Sequence, residues 1–319
     1  MRIGVLVNPS AGHGQRDQAV TSRLEACWQS HELLTVAGPT APCFTQAELL
    51  PEPEGGYVEK LFGSVQALLA AGAEMIVTLG GDGTAAYAAE ALGDARKTVP
   101  LLGIGLGTAN VGPIVTLPGD DPIPPVEALR FVSGDAIAVY DRGRRIAAGY
   151  NDVVLGNTYL ATLDGETVTA DGQALLTEGR VARGTPLENV FGPHARVTKN
   201  GRPLPVSLPA VGQAIAAPLV QDRLYGRAVH GIYCYAPDSP TQGALTLSAR
   251  PLVSYEPDHR GYDAFAPEER LLFSAADEIA ITGLDPSILA VCDGNPWPLT
   301  DGAVTLHYVP QDVLIAKRR

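Results

Sequence analysis

The sequence predicts a two-part fold: a parallel α/β domain followed by a mostly antiparallel β domain. Three observations carry that reading. Over the first third of the 319 residues, short apolar runs alternate with amphipathic helical stretches, the pattern of a parallel sheet covered by helices on both faces. Glycine-bearing turns close three of those runs. After about residue 117 the texture changes to short β-like runs punctuated by Asn-Gly and Asp-Gly pairs, which are hairpin signals. A chain of this length is expected to hold about two domains.

Each element can be justified in order. "RIGVLVN", starting at Arg2, is a short apolar run consistent with a buried parallel strand, and "NPSAGHG" (8–14) is the turn at its end. Val20, Leu24, Cys27 and Trp28 recur at helical spacing, and "LLTVAG" (33–38) reads as a second strand. Residues 38–56 are rich in Pro, Gly and Glu and read as a loop or insertion. From Tyr57, the residues Val58, Leu61, Phe62, Val65, Leu68 and Leu69 give an amphipathic helix with one buried face. "EMIVTL" (74–79) is a third strand, leading into "GGDGT" (80–84) and an alanine-rich helix opened by Thr84. "VPLLGIG" (99–105) is a fourth strand, running into "GLGTAN".

The turn-rich "LPGDDPIPP" (117–125) reads as a boundary, giving domains 1–120 and 121–302. A helix is expected over 125–132, "PVEALRFV". Beyond it, hairpin signals stand at Arg142-Gly143, Asp164-Gly165, Asp171-Gly172, Asn200-Gly201, Asp293-Gly294 and Asp301-Gly302, with "ARVTKNGRPLPV" the clearest.

Composition narrows the function. Hydrophobic content of 45% and charged content of 18% fit a folded chain with a sizeable core. A net charge of −12 argues against non-specific nucleic-acid binding and against docking on an anionic membrane. It leaves room for a phosphorylated ligand at one locally favourable site. Cys27, Cys43, Cys234 and Cys292 lack CxxC spacing, so reduced thiols are expected rather than a disulfide framework or zinc site. With no signal peptide and no apolar run near the ~20 residues of a spanning helix, the expectation is a soluble, cytoplasmic protein.

In sheets of this kind ligands bind beyond the carboxyl ends of the strands, where the three glycine turns lie. In "GGDGT", the glycines Gly80, Gly81 and Gly83 allow positive φ and close backbone approach, and the following helix N-terminus, with Thr84, attracts phosphate. Asp82 reads either as a helix cap or as a carboxylate meeting a hydroxyl or Mg²⁺ beside that phosphate. In "NPSAGHG", Asn8 is a polar contact for a base or phosphate, and Gly12 and Gly14 can form a phosphate-approaching loop. The Lys-Ser/Thr of a P-loop is missing, and His13 reads as a loop histidine. In "GIGLGTAN" the glycines lack GxGxxG spacing, and Asn110 reads as a helix cap or a ligand contact.

"VNPSAG", "GGDGT" and "GLGTAN", in that order, resemble one superfamily. It contains the NAD kinases, the diacylglycerol and sphingosine kinases, and the acetoin-catabolism X-type proteins that are ATP-NAD kinase-like. The resemblance implies a Rossmann-like α/β domain followed by a β-sandwich, with closing strands (303–319) that return to the first domain. It implies that Asp82 is the catalytic carboxylate and that Gly80, Gly81, Gly83 and Thr84 surround the phosphates. Gly107, Thr108 and Asn110 would line the nucleotide side. "YNDVVLG" (150–156) is similar to the Asn-Glu element with which NAD kinases hold their dinucleotide, so Asn151 and Asp152, with Asp293, would contact substrate. ATP or another phosphoryl donor such as polyphosphate, Mg²⁺, and NAD as acceptor follow from the resemblance, as does a homodimer or higher homo-oligomer; metal ligands stay unassigned.

Two departures shape the choice within the superfamily. Lipid kinases close with a "DGE" element whose Glu acts as base; here Asp293-Gly294 is followed by Asn295, an amide that cannot take a proton. NAD kinases carry an amide there. Their "TGSTAY" segment is missing, and "NTYLATLDGETVTADG" (157–172) shares only loose polarity with it, which moves the chain towards the acetoin-catabolism X-type branch. Three readings are carried forward: an NAD kinase-like phosphotransferase, a lipid or other small-alcohol kinase, and a nucleotide-binding regulator without turnover.

Overall fold

The computed structural model describes residues 1–9, 11, 15–107, 110, 112–163, 166–219, 242–254 and 267–319. The chain forms two compact units. The first comprises 1–134 with 311–319 and the second, among the described residues, 135–219 and 242–310.

In the first unit the elements are β1 (Arg2–Val7), α1 (Gln15–Cys27), β2 (Glu32–Val36), β3 (Glu48–Leu50), α2 (Tyr57–Ala70), β4 (Met75–Gly80), α3 (Asp82–Ala91), β5 (Leu101–Gly105) and β6 (Val115–Pro118). The strands lie in the order β5-β4-β1-β2-β3, all parallel, with β6 also parallel to β5. The apolar runs read from the sequence are apolar because the sheet is covered on both faces. On one face Ile3, Val5, Val77 and Ile104 pack with Val20 and Leu24 of α1 and with Trp28 just beyond it. On the other, α2 buries Leu61, Val65 and Leu68, and Gly4 leaves room for Leu68 and Ile76, since a Cβ there would lie 2.9 Å from the Ile76 Cδ1.

The segment 38–56 is mostly loop, as expected, but Glu48–Leu50 adds a short edge strand beside β2. The helix expected over 125–132 is not formed. A single 3₁₀ turn, Val126–Ala128, is followed directly by β7 (Leu129–Asp141). Leu129 packs into the first unit's core, and the β-branched and aromatic content of "LRFV" favours a strand.

The second unit continues with β7, β8 (Arg144–Gly149), β9 (Val153–Gly156), β10 (Thr158–Leu163), β11 (Glu166–Asp171), α4 (Gly172–Glu178), β12 (Phe191–Lys199), β13 (Arg202–Leu204), β14 (Gln213–Pro218), β15 (Gly243–Ser248), β16 (Glu268–Phe273), β17 (Ile279–Leu284), β18 (Leu289–Cys292), β19 (Asn295–Pro298) and β20 (Ala303–Arg318). A six-stranded antiparallel sheet runs β16-β15-β14-β9-β18-β19. Its inward side chains, such as Val153, Leu155 and Ala216, share a core with Ile137, Val139, Ile279 and Ile281 of a second layer, where β13-β12-β17-β20 and the β7–β8 pair lie. Alternate residues Val154, Ile215 and Val291 face the other way and are buried under Tyr159, Val168 and Ala170 of the β10–β11 hairpin. That second cover explains why β9 is apolar throughout rather than alternating.

Four of the six Gly-containing pairs join paired strands: Arg142-Gly143 (β7–β8), Asp164-Gly165 (β10–β11), Asn200-Gly201 (β12–β13) and Asp293-Gly294 (β18–β19). Residues 164 and 165 themselves lie outside the described residues. Asp171-Gly172 is instead a helix start: the Asp171 carboxylate accepts from the amides of Gln173 (2.8 Å) and Ala174 (3.1 Å) and caps α4. Asp301-Gly302 has left-handed φ values of 60° and 61° but joins two strands that pair elsewhere. Gly alone signals the reversal; whether it becomes a hairpin depends on what the flanking segments bury.

Residues 311–319 pack in the first unit. Ile315 lies beside Leu101 of β5. Thr116 donates to the Ala316 carbonyl at 2.6 Å, and the fully buried Asp312 meets the Arg96 guanidinium at 3.3 Å. Cys27, Cys43 and Cys292 are free thiols; Cys234 lies outside the described residues. Among the described residues no helix is long and apolar enough to cross a membrane.

Candidate functional site

Beyond the carboxyl ends of β1, β4 and β5, Asn8, the "GGDGT" turn and Gly107 with Gly112 come together. β4 ends at Gly80, Gly81 is the N-cap, and α3 begins at Asp82, two residues earlier than the sequence suggested. Asp82 is therefore not the cap; no side chain caps this helix. Its carboxylate accepts a hydrogen bond from the Gly112 amide at 2.7 Å, which ties the "GGDGT" loop to the segment after "GLGTAN".

The glycines serve close packing here rather than positive φ. Gly80 and Gly81 are absent from the left-handed region, and Gly81 has φ −99°. A Cβ on Gly80 would lie 2.6 Å from the Thr84 Oγ1, and one on Gly107 would lie 2.8 Å from the Gly81 Cα. The two loops touch backbone to backbone, and the contact excludes a side chain at Gly107, whereas a Cβ on Gly81 would meet the Gly107 Cα at an ordinary 3.5 Å.

Asn8 joins the first loop to the second. Its amide side chain donates to the Thr84 Oγ1 at 2.9 Å, and its backbone amide donates to the Leu79 carbonyl at 2.9 Å. Thr84 is also hydrogen-bonded to the Tyr57 phenol. Burial raises that phenol above its ordinary value, and the Thr84 bond works the other way. The Tyr57 ring stands edge-on to Tyr87 of α3, with centroids 6.4 Å apart.

Asn110 does not begin a helix, since the chain passes through turns into β6. It adopts a left-handed φ of 52°, and its side-chain amide donates to the Gly107 carbonyl at 2.8 Å. This ties Asn110 back to Gly107, and the buried Asn110 Oδ1 has no hydrogen-bond partner among the described residues. Gly12, His13, Gly14 and Thr108 lie outside the described residues.

Beside these loops is a cavity of about 200 Å³. Its lining includes the apolar Leu6, Val7, Val36 and Ala37 and the polar Asn8, Thr84, Tyr57 and Lys60. Sequence reasoning missed Tyr57, Lys60 and Glu52. Tyr57 and Lys60 sit on a helix whose clear signal was its buried face, and Glu52 sits in a segment read as plain loop.

In the second unit, Asn151, Asp152 and Asp293 come together. The Asp293 Oδ1 accepts from the amides of Asn151 (2.8 Å) and Asp152 (3.0 Å), its Oδ2 accepts from the Tyr150 amide (2.8 Å), and its own amide donates to the Asp152 carbonyl at 3.1 Å. The Asn151 side chain in turn donates to the Asp152 Oδ2 at 2.6 Å. Asp293 has a left-handed φ of 48° in the β18–β19 turn, and Gly294 has one of 85°. Burial, then the neighbouring Asp152 charge, push the Asp293 carboxyl well above the usual carboxylate range, against the pull of the three amides. Asn295 pairs with Cys292 at the first position of β19.

Residues 2–139 match the family described as the diacylglycerol kinase catalytic domain. The solved structures with similar folds include yeast NADH kinase complexed with NADH, with a TM-score of 0.54 and 12% identity, covering 99% of this chain and 82% of that one. They also include a diacylglycerol kinase from Bacillus anthracis str. Sterne, with a TM-score of 0.51 and 13% identity, covering 98% and 96%. Residues 2–139 thus carry the likeness to the diacylglycerol kinase catalytic domain, and the fold as a whole is that of the NADH kinase and diacylglycerol kinase structures. At these identities the solved structures speak to fold, an α/β domain followed by a β domain. An uncharacterised protein of Archaeoglobus fulgidus is 26% identical over 302 residues, 93% of this chain and 92% of its own length.

Proposed function

We propose that this chain transfers a phosphoryl group from a nucleoside triphosphate to an alcohol hydroxyl, with NAD as the favoured acceptor. The observation that supports it most is the "GGDGT" turn itself. A carboxylate stands on the first residue of a helix, after Gly80, where a Cβ would lie 2.6 Å from the Thr84 Oγ1, and Gly81, whose Cα would lie 2.8 Å from a Cβ on Gly107, with a cavity alongside that Thr84 helps to line.

Phosphoryl transfer passes through a loose transition state, so the protein mainly positions groups and offsets charge. In this reading the cavity takes part of the nucleotide, and Gly80, Gly81, Gly83 and Thr84 lie along its phosphates. Asp82, held by the Gly112 amide, orients the acceptor hydroxyl and receives its proton late, as the forming bond acidifies it. An aspartate with an ordinary pKa of ~3.9 is too weak a base to remove that proton beforehand. Among the described residues no group of three or more His, Cys, Asp or Glu side chains could cage a metal. Mg²⁺ held by one or two carboxylates and the substrate phosphates needs no such cage, and Asp82 is the carboxylate at the loop. Mg²⁺ bound in that way neutralises charge on the transferring group.

The acceptor preference rests on Asn295, which stands where lipid kinases of the superfamily carry a basic Glu. Asn151 and Asp152 are proposed as acceptor contacts, as is Asp293 through the loop it holds. A lipid acceptor is the second reading, supported by the match of residues 2–139 to the diacylglycerol kinase catalytic domain. The test is label transfer from γ-labelled ATP with Mg²⁺ to NAD, to small alcohols and to diacylglycerol. Labelled NADP is expected. Labelled lipid alone would replace NAD by the second reading, and ATP binding without transfer to any acceptor would leave a nucleotide-binding regulator.

A further inference from the structure

The cavity beside the "GGDGT" loop has one feature that the motifs do not explain. Among the described residues lining it, Lys60 is the only cation and Glu52 the only anion, and they are paired, Nζ to Oε1, at 2.6 Å. We propose that Lys60 is a phosphate-binding residue for the nucleotide, and that Glu52 is a place-holder which a phosphate oxygen displaces. The inference rests on the phosphotransferase reading above and adds residues to its donor site.

Lys60 lines the cavity one helical turn after Tyr57, and Leu6, Val7, Val36 and Ala37 also line it. The neutral polar groups Asn8, Thr84 and Tyr57 already bond one another, Asn8 to Thr84 and Thr84 to Tyr57. Ser64 is likewise used, donating to the Lys60 carbonyl at 2.7 Å. Lys60 is thus the lining group with a formal positive charge to offer an anion.

The pair is also cheap to open. The two side chains are 42% and 39% exposed, and ion pairs this open to water are weak because solvent screens them and both long side chains lose freedom on pairing. A phosphate carries more charge than a carboxylate and presents three acceptor oxygens, so it outcompetes Glu52 for the ammonium. Finally, the backbone that presents Lys60 is rigid. Leu61, Val65 and Leu68 of the same helix are buried, and the Lys60 amide is bonded to the Gly56 carbonyl at 2.9 Å.

Substitutions at the two ends of the pair should act in opposite directions. By calorimetry at low salt, Lys60→Ala should bind ATP about tenfold more weakly, the loss of one charge-assisted hydrogen bond. Lys60→Arg should retain most of the affinity, and Glu52→Gln should bind ATP a few-fold more tightly because the ammonium is released. Adenosine, which has no phosphate, should bind all four proteins alike.

Equal ATP affinity in wild type and Lys60→Ala would overturn the inference while leaving the nucleotide reading intact. Weaker or unchanged ATP binding in Glu52→Gln would overturn the place-holder. If wild type binds no ATP, the nucleotide reading fails, and inorganic triphosphate becomes the probe. Lys60-dependent binding of triphosphate would then support the phosphate role, and no binding would overturn both.

Discussion

Two Asp-Gly steps in this chain look alike in sequence and behave oppositely in the fold. Asp82-Gly83 lies after a buried parallel strand and enters a helix, and its carboxylate accepts from the Gly112 amide of a neighbouring loop. Asp293-Gly294 lies between antiparallel strands, with φ values of 48° and 85°, and its carboxylate is buried against three main-chain amides. The difference teaches that the dipeptide fixes neither geometry nor role. The downstream residues decide both: an alanine-rich run that can sink into a packed helix in one case, a strand that must reverse in the other. Asp82 ties two loops of the first unit together and is the residue proposed to meet substrate, whereas Asp293 holds residues 150–152 in shape.

Substitution separates the two aspartates, and the largest effect belongs to Asp82. Asp82→Asn keeps the shape and removes the proton acceptor; turnover should fall by roughly two to four orders of magnitude, while ATP affinity by calorimetry changes little. Asp293→Ala leaves three buried amides without their acceptor, so urea unfolding should show a loss on the order of 3 kcal/mol.

Asp293 also gives a pH dependence with a definite sign. Its folded-state pKa is raised, so its contribution is full below the ordinary carboxylate value of 3.8 and is lost as pH rises through the folded value. Wild-type stability should therefore decline across that window, and the decline should flatten in Asp293→Asn. Gly107→Ala would drive a methyl into the Gly81 backbone, 2.8 Å away. It should cost about 1–3 kcal/mol and weaken ATP binding if the two loops act together. The smallest effect is at Asp171, where loss of the α4 cap should cost about 1 kcal/mol in the same unfolding assay.

The parallel unit was legible because its signals are local. Each strand is an apolar run, each major helix has a periodic face, and each glycine turn falls where the sheet ends. The misreadings share one cause, tertiary context. "PVEALRFV" has helical spacing, but Leu129 is claimed by the first unit's core and the residues after it by β7. Asp171-Gly172 carries the same turn chemistry as a hairpin and instead caps a helix. At the candidate site, the glycine loops and Asp82 could be named from sequence. The reason for the glycines could not, because the Gly81–Gly107 contact joins residues far apart in the chain. Lys60 and Glu52 were invisible for a similar reason: nothing in either local pattern tells that they meet at a cavity.

The most direct test of the account measures turnover and unfolding side by side for Asp82→Asn and Asp293→Asn, with γ-labelled ATP and the acceptor that wild type uses. The account predicts that Asp82→Asn unfolds like wild type and transfers almost no label, while Asp293→Asn unfolds more readily and still transfers label, with a raised KM for the acceptor. An Asp82→Asn protein that transfers label at the wild-type rate would contradict it outright.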